Sequence, residues 1–176
     1  MGTLKVESGK WKEESGKWKE ESGKWKDMIE GVQIYDLKQI FLPKGDLWHA
    51  CKSTDEGFVG FGEVYFTQVN KGEVKGWKRH NRYQLNLVVL QGKVRFVIYD
   101  GRTDSKTYGE FAEITLSPID YYKRLTVPAG VWMAFQGIND GVNMLMDLIP
   151  EPHDASESDT KELNEIPFGW KEESGK

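Results

Sequence analysis

An all-β fold of sandwich, jelly-roll or barrel type is predicted for the middle of this 176-residue chain. Short runs rich in β-branched and aromatic residues recur about every ten residues, Gly, Pro, Asn and Asp punctuate them, and no long amphipathic helix lies between. A parallel α/β sheet would lack its crossover helices. The first strong run is 62–69, which stops at Asn70-Lys71-Gly72. Runs 83–90 and 93–99 are joined at Gln91-Gly92, and Asp100-Gly101 closes the second. Runs 111–116 and 123–127 follow, then Pro128-Ala129-Gly130, run 131–136, Asn139-Asp140-Gly141 and run 142–149. A further strand is expected near 32–40. Strict alternation sets Val94, Phe96 and Ile98 against Arg95 and Tyr99, and Val142, Met144, Met146 and Leu148 against Asn143 and Asp147. In each case one face is expected to be core and the other to meet solvent or a cavity. The acidic stretch 154–165 is expected to form a short C-terminal helix capping the domain.

The ends follow different rules. From Glu7 the chain reads ESGKWKE, ESGKWKE, ESGKWKD, and WKEESGK returns at Trp170 to Lys176. Each unit has one large apolar residue (Trp11, Trp18, Trp25) beside a Ser-Gly pair, so no two-position coiled-coil seam exists. These segments are expected to be a tandem expansion, flexible or transiently helical, with two lesser alternatives: the spaced Trp residues as stacking platforms for a sugar or partner, or packing of one Trp on the domain. The organisation expected is therefore a repeat segment at 1–27, a domain at 28–170 and a repeat-like tail at 171–176.

With 24 Lys and Arg against 28 Asp and Glu, the net charge of -4 gives no basic field for a nucleic-acid backbone. One cysteine, Cys51, can form neither an internal disulfide nor a cysteine-rich zinc site, which points to a reducing, cytoplasmic setting. Neither a membrane span nor an apolar signal region is expected. Nucleotide-binding glycine loops and a serine nucleophile elbow are absent from the sequence.

Several weak motifs in fixed order then carry a resemblance: PKGDLW (43–48), KGWKRH (75–80), YDGR (99–102) and VPAGVW (127–132). Together they make the stretch from about 32 to 170 resemble the dTDP-4-dehydrorhamnose 3,5-epimerases and their relatives. The resemblance implies a cupin jelly-roll barrel, a homodimer, no cofactor, and a pocket receiving a nucleotide-linked keto sugar, as in surface polysaccharide synthesis. Such an epimerase takes a proton from the carbon beside a ketone and returns one to the opposite face, which needs a base, an oxyanion stabiliser and an acid. The family's base resembles a His in an Arg-Gly-Leu-His sequence, and this chain has Lys75-Gly76-Trp77-Lys78 there. His80, two residues on, would share a strand face with Lys78. With an ordinary pKa of about 6.5, it is the better base, leaving Lys78 to contact the enolate or a phosphate. Gln84 and Asn86 continue the alternation toward the same cavity, joined by Lys75, and Lys44 and Glu63 match polar pocket positions by alignment. The family's acid, a Tyr on a late strand, has no counterpart in 143–147; Tyr65 and Tyr99 are the possible substitutes. A metal is not expected, because one imidazole remains where metal cupins gather three or more ligands. The alternative function is a cupin that binds a sugar or nucleotide sugar without turning it over. Trp77 and Trp132 are expected as core or cavity wall.

Overall fold

The computed structural model describes residues 29–170, together with three short segments of the N-terminal repeats. Those segments are strands β1 (Lys5–Glu7), β2 (Lys10–Lys12) and β3 (Trp18–Glu20), paired antiparallel in that order, where flexible or transiently helical chain was expected. The rest of the first repeat segment and the tail 171–176 lie outside the described residues.

The domain proper has β4 (Gln33–Asp36), β5 (Gln39–Ile40), β6 (Leu47–Trp48), β7 (Glu63–Val69), β8 (Val74–His80) and β9 (Leu85–Gln91). It continues through β10 (Val94–Tyr99), β11 (Phe111–Leu116), β12 (Lys123–Val127), β13 (Trp132–Gly137), β14 (Asn143–Ile149) and β15 (Ser158–Lys161). Two five-stranded antiparallel sheets result, ordered β4-β12-β9-β14-β7 and β11-β10-β13-β8-β15. They do not close into one continuous barrel. Val94, Phe96 and Ile98 of the second sheet meet Leu87, Val89, Leu125 and Leu145 of the first in the main core. The alternation read along β10 is thus the observed one.

Two expectations are corrected. On β14 the inward face is Leu145 and Ile149, both 1% exposed, so Asp147 between them points the same way, and Met144 and Met146 lie on the outer side. Four apolar residues at even positions suggested the opposite phase, but this sheet buries parts of both faces, and hydrophobicity alone then loses the register. The C-terminal helix is also replaced: β15 lies between 3-10 turns at Ala155–Glu157 and Leu163–Glu165 and pairs with β8, Ser158 opposite His80 and Thr160 opposite Lys78. Ser158, Asp159 and Thr160 are weak helix formers, and the edge of β8 offers their backbone a full set of partners. After β15 the chain crosses the outer face of the second sheet, where Leu163, Ile166, Phe168 and Trp170 cover Trp77, Val97 and Trp132. Trp170 opens the terminal repeat, and its ring sits 4.9 Å from Phe168 and 5.9 Å from Trp77. One repeat Trp is therefore packed on the domain.

The YDGR motif is a structural hub. Asp100, wholly buried, accepts hydrogen bonds from Arg102 Nε and Nη2 at 2.8 Å each and from Ser105 Oγ and Thr107 Oγ1 at 2.6 Å each. Burial pushes its carboxyl up, but these donors outweigh burial and hold it well below the usual range. Asp100→Ala is expected to cost about 3 to 5 kcal/mol by urea denaturation, since Arg102 and two hydroxyls lose their shared acceptor. Because the folded pKa is depressed, the stability Asp100 supplies is full above the unfolded value and is lost as pH falls below it.

Candidate active site

His80 ends β8, is 7% exposed, and presents its ring between the sheets. Its position is fixed from three sides. Gly130 N, in the VPAGVW turn, donates to His80 O at 2.7 Å, and Gly130 adopts φ +81°, a conformation glycine takes without strain. Tyr83 lies against the imidazole with ring centroids 5.0 Å apart. Glu157, 1% exposed, receives His80 Nδ1 on Oε2 at 2.6 Å, while its Oε1 accepts Asn81 N and Arg82 N at 2.8 Å each.

This pairing sets the chemistry of the imidazole. Burial pushes Glu157 up, yet the Arg82 and Asn81 amides and His80 more than offset it, so the carboxyl is held below its ordinary value and is ionised near neutrality. An ionised acceptor at Nδ1 selects the tautomer with the proton on Nδ1, which leaves the Nε2 lone pair free. Burial lowers the pKa of His80 against the opposing pull of Glu157, so the ring is neutral around pH 7. The arrangement is that of a general base.

Other polar groups converge on the same end of the intersheet space. Lys78 is half-buried opposite Met133, a core residue, and acts electrostatically on both His80 and Asp147. From the facing sheet come Tyr65 on β7 and Asp147 on β14, which are paired across the ladder. Burial pushes Asp147 up to about 7, Lys78 opposing. Burial and the adjacent Glu63 push Tyr65 up to about 12, and burial with the Glu157 and Asp147 carboxylates raises Tyr83. Glu63 accepts His153 N at 2.8 Å at the rim. Beside Tyr83 a cleft of about 450 Å³, lined by Val59, Arg82, Gln84, Pro128 and Pro150, has the size of a small-molecule site.

The residues expected from sequence divide accordingly. His80 and Lys78 are brought together, with Tyr65 and Glu63 opposite. Lys75 is exposed but shares their face because of a bulge: Lys78 opposes Met133 and Lys75 opposes Phe135, three residues of β8 against two of β13. Gln84 reaches only the cleft beside Tyr83, and Asn86 does not line this space with His80. Both donate to Gly57 O, at 2.5 and 3.1 Å, and Asn86, 2% exposed, also accepts from Thr126 Oγ1 at 2.7 Å. Alternation cannot run from His80 to Asn86, because β8 and β9 belong to different sheets and the chain turns between them. Lys44 is exposed in the turn joining β5 to β6. Tyr99 packs on Phe111 at 4.7 Å in the outer cluster, so it is not the substitute acid. Glu157 and Asp147 are not among the site residues expected from sequence: one falls within the expected capping helix, the other on a strand expected to turn one face to the core and the other to solvent or a cavity. Among the described residues no group of three His, Cys, Asp or Glu side chains is placed to hold a metal ion, and no helix is long and apolar enough to cross a membrane.

Comparison with known proteins gives the chain as a whole a family match. The family model described as dTDP-4-dehydrorhamnose 3,5-epimerase matches residues 38–169. The chain belongs to that family. Its similarity to a dTDP sugar isomerase of Desulfovibrio desulfuricans is 35% identity, covering 81% of this chain and 92% of that one with a TM-score of 0.78. A probable low-salt glycan biosynthesis epimerase of Haloferax volcanii is 26% identical over 137 residues, 77% of this chain and 87% of the relative. A 3'-monoepimerase of Streptomyces bikiniensis, solved with dTDP, shares the fold at 16% identity, a TM-score of 0.72 and coverage of 81% and 76%. Within the epimerase family, this member places a His and carboxylate pair where β8 ends.

Proposed function

We propose that this family member epimerises a carbon next to the ketone of a nucleotide-linked deoxysugar in surface-glycan synthesis. The observation that carries the proposal is the buried pair of His80 and Glu157 beside the half-buried Lys78. His80 Nε2 takes the proton from the carbon, the C–H electron pair moves into the carbon framework, and the resulting enolate oxygen is stabilised by the Lys78 ammonium. Glu157 compensates the imidazolium that forms and keeps its ring orientation. Lys75 and Glu63, at the rim on facing strands, are assigned to sugar or phosphate contacts, with Lys44 toward the diphosphate. No cofactor is needed for this proton chemistry.

The two sheets are read as a cupin jelly roll, open rather than closed, and the working unit as a cytoplasmic homodimer. Exposed Phe41, Leu42, Phe61 and Phe66, at 72%, 50%, 68% and 63%, supply apolar surface of the kind a second copy covers.

The test is incubation with nucleotide-linked 4-keto-6-deoxysugars in heavy water, followed by NMR. Deuterium is expected at a carbon beside the ketone, with inversion at one or both centres. Tight binding without exchange across a panel of such sugars would instead establish a non-catalytic sugar-nucleotide binder.

A further inference from the structure

We propose that Asp147 is the acid of the reaction, delivering a proton to the face of the substrate opposite His80. The inference rests on the epimerase reading above and supplies the group that the late strand otherwise lacks. His80 stands on β8 of the second sheet, whereas Asp147 stands on β14 of the first, inward between the core residues Leu145 and Ile149. The two therefore occupy facing walls of one intersheet space. Epimerisation requires this placement, because the proton must leave one face of the sugar ring and return to the other.

The state of Asp147 fits the role. Its Oδ1 is closed off from solvent and has no hydrogen-bond partner, although the residue as a whole remains partly accessible. A buried carboxyl oxygen kept without a partner costs stability and is uncommon in a purely structural position. Lys78 acts on it electrostatically, as does Asp147 on Tyr83 and Tyr65, so it belongs to the His80 group and not to a remote pocket. Burial raises its pKa to about 7, so a substantial share is protonated near neutrality, whereas Tyr65 at about 12 gives up its proton far less readily.

The step balances without a co-reactant. His80 Nε2 gains the proton from carbon, the enolate carbon takes the Asp147 carboxyl proton on its other face, and the C=O re-forms. His80 is then imidazolium and Asp147 carboxylate. One proton released to water from His80 and one taken up by Asp147 restore the start.

Asp147→Asn tests this in heavy water with a 4-keto-6-deoxysugar nucleotide that the wild type epimerises. The expected result is exchange within a few-fold of wild type but inversion about 100-fold or more slower. The alkaline limb of the wild-type inversion profile, near pH 7, should vanish in Asp147→Asn. The variant should also melt several degrees above wild type at pH 8, with the gap narrowing as pH falls and closing only below the unfolded carboxyl value of 3.8. The sign follows from the raised folded pKa: the charged carboxylate destabilises the fold as pH climbs from the unfolded value, most fully above about 7. Wild-type inversion by the variant, or exchange and inversion lost in equal proportion, would overturn the assignment while leaving the epimerase reading intact. Lower melting of the variant across the whole pH range would make Asp147 structural and overturn it too. A wild type that binds the sugars yet neither exchanges nor inverts them would remove the epimerase reading, and this proposal with it.

Discussion

Replacing His80 by Asn is expected to lower solvent exchange at the ketone-adjacent carbon by about 100-fold or more, the usual worth of a positioned general base. Asn approximates the bulk near Nδ1 and can still face Glu157, but no basic nitrogen remains where Nε2 stood. The loss should appear in kcat with little change in KM, since a group that acts on the proton in transit contributes little to ground-state binding. Wild-type activity should fall on the acid side through a pKa below 6.5, because burial lowers His80 and protonation of Nε2 removes the base. In the variant that acid limb should be absent from the residual rate. Rates measured by deuterium NMR across pH for the two proteins check both statements, and a variant that exchanges at the wild-type rate would transfer the base role elsewhere.

Glu157→Gln carries the second large expectation, a rate loss of about 100-fold or more with the fold retained. Gln can keep its carbonyl oxygen toward the Asn81 and Arg82 amides, which presents its NH2 to His80 Nδ1. Nδ1 must then accept a hydrogen bond, the proton moves to Nε2, and the imidazole offers the substrate a donor where the reaction needs an acceptor. The variant also loses a charge-assisted bond in a buried setting, worth about 1.5 to 3 kcal/mol. Both members of the pair have depressed folded pKa values, so both contribute stability that is present at neutral pH. That stability is lost on acidification, first as His80 charges below 6.5 and then as Glu157 protonates below 4.5. The Gln variant should show a steeper decline of melting temperature between pH 6.5 and 4.5, because His80 loses the carboxylate that raises its pKa, and a flatter one below 4.5, where no Glu157 is left to protonate. Chemical shifts of the His80 ring nitrogens give the tautomer directly, and an unchanged Nδ1–H form would refute the mechanism assigned to Glu157.

The sequence by itself determined the all-β class, the order of the main strands and the inward face of β10. Those features are local: period-2 patterning, turn residues and short motifs are written within a few neighbouring positions. Only the tertiary structure decided what stands opposite His80. Glu157 arrives because an acidic stretch becomes an edge strand on β8, a choice made by the free backbone of that edge and not by propensity within 154–165. Asp147 turns inward because β14 is packed on both sides, so its apolar residues do not mark a single face. Gln84 and Asn86 part company with His80 because the chain passes from one sheet to the other after Asn81, and alternation has meaning only within one sheet. The proposed base lies on one strand, but its orienting carboxylate and the group on the far wall come from segments 77 and 67 residues away along the chain, and packing alone brings them within reach.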